Sequence, residues 1–174
     1  MPNMRSTLLL VVLVTSACNS GSVEQATDTM KATSGLHMDN YELQLFGADY
    51  AEAWCSQQPD RVASFFEPDG SLTVNKGEPA VGTDAITQVA AGFMKTFPDL
   101  TLLMDSLVTG PDGPSFHWTL IGTNTGPNGT GNSVCFSGVE HWTMSGNGRV
   151  QVSDGSFDAA EYERQLAKGV DASE

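Results

Sequence analysis

Apolar positions recur at helical spacing through Tyr41, Leu43, Leu45, Phe46, Tyr50, Ala53 and Trp54, with Asp39 or Asn40 ahead of them as a cap, and this predicts a first helix that Gly47 weakens locally. Pro59-Asp60 opens a short second helix, Arg61 to Phe66, with Val62, Phe65 and Phe66 facing inward. Ser71 to Asn75 alternates as a strand. Gly82-Thr83-Asp84 starts a third helix carrying Ile86, Val89, Phe93 and Met94, and Pro98 stops it, because the residue before a proline avoids the α region.

After Pro98 the period changes from that of a helix to that of a strand. Leu100–Thr109, Ser115–Thr125, Asn132–Met144 and Arg149–Ser153 read as four strands separated by short Gly-, Pro- and Asn-rich breaks, the pattern of antiparallel hairpins. Asp158 and Glu161 open a last helix whose weak apolar side is Tyr162, Leu166 and Val170. Helices followed by a meander of long strands imply an α+β domain over residues 39–170. The expected form is a cone-shaped, curved, largely antiparallel (mixed) sheet packed on about three helices, with a pocket at its open end.

The segment before this domain has a different character. Met1–Arg5 is positively charged, Leu8–Val14 is an unbroken apolar run, and Thr15-Ser16-Ala17-Cys18 resembles a lipobox, so residues 1–17 are expected to be a lipoprotein signal peptide and Cys18 the lipidation site. A helix through that run reaches about half of the ~30 Å hydrocarbon thickness, too short to remain as a span. Residues 18–38 are poor in large apolar side chains and read as a flexible tether, and 171–174 as a disordered tail. The expected address is the bacterial cell envelope, with the lipid as the only membrane contact. The formal charge of −13 fits this and offers no basic stripe for phosphates, which excludes nucleic acid as a partner. Besides Cys18 there are Cys55 and Cys135, whose spacing alone cannot say whether they pair.

Several short segments together resemble the nuclear transport factor 2-like (cystatin-like) fold and its SnoaL-like polyketide cyclase branch. They are Tyr50-Ala51-Glu52-Ala53-Trp54, Phe97-Pro98-Asp99-Leu100, Gly122-Thr123-Asn124-Thr125-Gly126, Gly148-Arg149-Val150 and Phe157-Asp158. The fold hosts isomerases, dehydratases, cyclases, epoxide hydrolases and binding modules, so it does not fix a chemistry. Family members often dimerise through the outer sheet face, and a homodimer is accordingly an expectation here, with His117 and His141 on that face.

Strand parity places Val134, Phe136, Gly138, Glu140 and Trp142 on one face, and the bulk of that set turns it toward the helices. A carboxyl group among such aromatic rings has its charged form disfavoured, as a general acid or a proton-sharing donor requires. Val139-Glu140-His141-Trp142 is similar to the ketosteroid isomerase strand that carries that family's acidic oxyanion-hole residue, and Tyr50 stands where its tyrosine donor would be. The alternative is that Glu140 pairs with Arg149 or Lys76 or lies at the rim, and that Tyr50 is an ordinary core tyrosine.

Against an isomerase, Asn75-Lys76-Gly77-Glu78-Pro79 puts no carboxylate at the end of the first strand unless Glu78 turns inward. Against a cyclase, Ser153-Asp154 stands where the resemblance implies a His-Trp pair. Asp158 is retained as a candidate base, although with Glu161 it equally fits a helix cap worth about 1 kcal/mol. The candidate ligand contacts are Trp54, Asn75, Trp118, Phe136 and Trp142. No metal is expected, since the three histidines lie in separate segments without ligand spacing, and no cofactor motif is present. Three readings remain: a module binding a small, mostly apolar ligand, which the missing carboxylate and His-Trp pair favour; a cofactor-free isomerase- or cyclase-type enzyme doing acid–base chemistry next to a carbonyl; and a dimerising envelope protein with a filled pocket.

Overall fold

The computed structural model describes residues 38–170. The expected signal peptide, Cys18, all but the last residue of the expected tether, and the tail at 171–174 lie outside the described residues. Helix α1, Asn40–Cys55, starts in a capping box: Asp39 accepts from the Glu42 backbone at 2.9 Å, and Glu42 accepts from the Asp39 backbone at 2.9 Å. Reciprocal capping of this kind satisfies two N–H groups that the first turn would otherwise leave unpaired. The helix buries Leu43, Gly47, Tyr50, Ala51, Ala53 and Trp54. Gly47 lets α1 settle closely, since a Cβ there would lie 2.7 Å from Leu107 Cδ1 and 2.8 Å from Met104 Sδ, and the ends of those two flexible side chains would have to shift.

Helices α2 (Pro59–Ala63), α3 (Thr83–Thr96) and α4 (Ala159–Lys168) follow in the chain, with strands β1 (Phe66–Val74), β2 (Ala80–Val81), β3 (Thr101–Gly110), β4 (Gly113–Thr123), β5 (Ser133–Met144) and β6 (Val150–Phe157). The six strands form one sheet in the order β2-β1-β6-β5-β4-β3. Every pairing is antiparallel except β1 with β6, which is parallel. Helical side chains cover one face, and the core is the layer between them: Tyr50, Trp54, Phe66, Ile86, Phe97, Phe116, Trp118, Val134, Phe136 and Trp142 are all buried.

The α+β class with a mixed sheet therefore holds, and the cone does not. The sheet is open, with β2 and β3 as separate edges, and is neither closed nor strongly curled. Alternation along a strand reports which face is buried, but curvature depends on bulges and register between strands, which a pattern along one strand does not encode. Among the described residues three of the four helices, α1, α3 and α4, pack on strands as expected, and the short α2 packs on α1 and α3.

Two boundaries also differ from expectation. Phe66 begins β1 instead of ending the second helix, which stops at Ala63. Strand β6 runs on to Phe157 although Asp154-Gly155-Ser156 has little strand propensity; it lies between β1 and β5, and both neighbours pair with its backbone. Position in the sheet overrides composition there.

Candidate functional site

The register across three strands builds the site. Glu140 of β5 lies opposite Phe116 of β4 and Gly155 of β6, Trp142 lies opposite Ser153, and Trp118 lies opposite Gly138. A Cβ on Gly138 would come within 2.3 Å of Trp118 Cζ2, so this glycine lets the indole lie down on the neighbouring strand. Helix α1 then brings Tyr50 and Trp54, one turn apart, onto the same patch.

Glu140 is 6% exposed. Its Oε2 accepts from Ser153 Oγ at 2.7 Å, Trp142 Nε1 at 3.0 Å and the Tyr50 hydroxyl at 3.1 Å. Its Oε1 has only a long contact with the same hydroxyl, at 3.4 Å. One oxygen is saturated with donors, and the other keeps lone pairs for a proton or a ligand. Arg149 donates to the Ser64 and Phe66 carbonyls, Lys76 is exposed, and no cation is among the partners of Glu140.

Burial is the largest influence on this carboxyl and raises its pKa; the hydrogen bonds from Ser153, Trp142 and Tyr50 pull it back down without cancelling the rise. Tyr50, with no exposed surface, is pushed well above the ordinary tyrosine value, first by burial and then by the charge of Glu140. The Trp54 indole nitrogen draws it the other way, yet it makes no hydrogen bond of ordinary geometry.

Beside Glu140 lies a cavity of about 40 Å³, walled by Trp54, Leu72, Phe93, Leu102, Trp118 and Phe157 among others. That is room for a few water molecules. Apart from the carboxyl the wall is nearly all hydrocarbon and aromatic. The indole nitrogens of Trp54 and Trp118 are buried and have no hydrogen-bond partner. Leaving such a donor unpaired costs about 1–3 kcal/mol each.

Of the residues singled out from sequence, the fold thus gathers Glu140, Tyr50, Trp54, Trp118 and Trp142. It leaves three elsewhere. Asp158 is exposed and caps α4, accepting from the Ala160 and Glu161 backbones at 3.0 Å. Asn75 accepts from the Phe157 backbone at 2.8 Å and so ties the ends of β1 and β6 together. Phe136 is buried against Trp118, Phe157 and Tyr162, outside the cavity wall. Glu78 is exposed and does not supply the missing strand-end carboxylate. Cys55 and Cys135 are both free, the second exposed.

Sequence reasoning missed Ser153, which has no exposed surface and makes the shortest contact to Glu140. It also missed Phe93 and Phe157 in the wall. Helical spacing marked Phe93 as inward, but not what it faces. The resemblance did mark the position, as the place of a His-Trp pair, but Ser153 was read there only as a loss and not as a partner of Glu140.

With this geometry in place, comparison with known proteins is decisive on family. The model of the SnoaL-like polyketide cyclase family matches residues 45–166. The chain belongs to that family. No curated protein matches it. Among solved structures it is similar to AclR of Streptomyces galilaeus, at 21% identity and a TM-score of 0.63, over 76% of this chain and 89% of that one. TsrD of Streptomyces laurentii is 17% identical with a TM-score of 0.64, over 75% of this chain and 98% of that one. SalBIII, an epoxide hydrolase/cyclase-like enzyme of pyran ring formation in the polyether salinomycin, is 16% identical with a TM-score of 0.61, over 71% of this chain and 95% of that one. Identities this low speak for the SnoaL-like fold alone.

Proposed function

We propose that this SnoaL-like domain is an acid–base enzyme that moves a proton on a small, mostly apolar molecule, with Glu140 as the proton-transfer group. The observation that carries the reading is the carboxyl's setting: buried at an aromatic cavity, Oε2 engaged by three donors, Oε1 left with one long contact. Ionised Oε1 takes a proton from carbon next to a carbonyl, and the C–H electron pair moves into an enolate. Return of the proton to the same carbon exchanges it, and return to a conjugated carbon completes an isomerisation; attack of the enolate carbon on a second carbonyl of the substrate breaks that C=O π bond, and the alkoxide formed takes the proton back from Glu140 to complete a cyclisation. Ser153, Trp142 and Tyr50 hold the carboxyl in place through the cycle. Ligand binding without turnover is the competing reading, and membership of a family whose model is described as a polyketide cyclase favours chemistry.

The test is exchange of solvent deuterium into a panel of ketones and esters with acidic C–H groups. Turnover by the wild type, reduced by two to four powers of ten in Glu140→Gln, is the expected result. Binding of the panel with no exchange above background in the wild type leaves a binding module.

We further propose that the domain works from the cell envelope, held by lipid on Cys18. The support is the charged, apolar and small-residue order of residues 1–18. Among the described residues no helix is long and apolar enough to cross a membrane. Metabolic labelling with a fatty acid should mark the wild type and leave Cys18→Ser unmarked; equal labelling of both, or of neither, removes the anchor.

A further inference from the structure

The two indole N–H groups without partners have a chemical meaning of their own. Indole nitrogen only donates; the Tyr50 hydroxyl lies near enough to Trp54 to feel its N–H without a hydrogen bond of ordinary geometry, and Trp118 has no partner at all among the described residues, so a full bond to either needs an acceptor brought from outside. Trp54 and Trp118 are 6% and 7% exposed, come from different elements, and both wall the cavity that Glu140 also lines. Trp142, whose indole is buried beside the same carboxyl, shows the contrast: its N–H already donates to Glu140 at 3.0 Å. The chain has no tryptophan besides these three.

We infer that Trp54 and Trp118 are oxygen-holding residues of the site, so that its substrate is a neutral carbonyl compound, such as a ketone or ester, whose oxygen accepts from one or both indoles while its adjacent carbon faces Glu140. This rests on the acid–base reading above and narrows it. A free carboxylate is a poor candidate beside a buried acid in a chain of net charge −13. An amine would suit the aromatic wall and the carboxyl, but it would leave both indole donors unanswered. During proton abstraction negative charge grows on the carbonyl oxygen, and N–H donors already fixed in a dry site stabilise it without reorganising. Neither indole nitrogen has open surface in the ligand-free cavity, so entry must part the aromatic wall around Trp54, Phe93 and Trp118.

Three tryptophans give three indole N–H signals in a nitrogen–proton correlation spectrum of the labelled chain, assigned with Trp54→Phe and Trp118→Phe. Cyclopentanone, its hydrocarbon shape-mimic methylenecyclopentane, and N-methylpyrrolidine are titrated in turn. The ketone should move the Trp54 or Trp118 signal downfield, and the hydrocarbon should not. Replacing the responding indole by phenylalanine should lower the preference for ketone over hydrocarbon by about two- to tenfold. A ketone that leaves both signals unmoved, or moves them no further than the hydrocarbon does, overturns the inference, as does tighter binding of the amine. The Trp142 signal tests the underlying reading separately, because it follows the charge of Glu140. A pH-dependent shift of that signal with a midpoint above the ordinary glutamate range, absent in Glu140→Gln, supports the acid even where the ketone test fails. No such shift removes the acid whatever the ketone does.

Discussion

The two faces of strand β5 carry neighbouring titratable residues with opposite surroundings. Glu140 points to the helices and is surrounded by three donors and aromatic rings, while His141, the next residue, is exposed and meets Ser115 at 2.9 Å. Both sit in a serine contact of similar length, for Ser153 meets Glu140 at 2.7 Å. Solvent makes the difference. Outside, water replaces any lost partner and screens charge; inside, a lost partner leaves a polar atom unpaired, and burial itself shifts proton affinity. A hydrogen bond in the sheet therefore says little about function until the face it lies on is known.

The comparison breaks most directly at Glu140. Glu140→Gln should cost two to four powers of ten in proton exchange, while His141→Gln should change the rate by less than about twofold, within the usual surface range; equal losses in a parallel assay would erase the distinction between faces. The two serines sharpen it. Ser153→Ala removes a buried, charge-assisted bond and should cost about 1.5–3 kcal/mol in denaturant unfolding, against under about 0.5 kcal/mol for Ser115→Ala. Tyr50→Phe should cost about 1 kcal/mol and push the Glu140 titration higher still, because the hydroxyl is one of the influences lowering it.

A pH series separates the acids by sign. Glu140 is raised on folding, so its contribution to stability is fully present below the ordinary glutamate pKa and is lost as pH rises through its folded value. Unfolding free energy should therefore fall across that window in the wild type and flatten in Glu140→Gln. Glu161 behaves the opposite way: its pair with Arg164, at 2.7 Å, lowers it to about 2. Its contribution is present above the ordinary value, is lost as pH falls toward 2, and should shrink in high salt, since the pair is at the surface. This is the smallest of the effects.

Much of the fold was legible along the chain because it is written in periodicity. The first and third helices, the hairpin strands and the inward set of Phe116, Trp118, Phe136, Glu140 and Trp142 follow from which positions alternate. Asn75 and Asp158 were chosen for type and neighbourhood in sequence, and Phe136 by strand parity, which gives its face but not what it meets there; each serves backbone or core: Asn75 ties strand ends, Phe136 fills, and Asp158 caps.

By itself the sequence determined the α+β class, the family resemblance and the face of β5 on which Glu140 lies, because each of these depends on local spacing that water enforces residue by residue. Tertiary structure alone decided that the sheet stays open, that Ser153 arrives opposite Trp142 to complete the carboxyl's donors, and that Trp54 and Trp118, whose buried N–H groups make no hydrogen bond, wall one cavity. Those outcomes depend on register between strands and on how closely a helix settles onto a sheet, through small residues such as Gly47 and Gly138. Distances of that kind arise between segments far apart in the chain, and no pattern within one segment sets them.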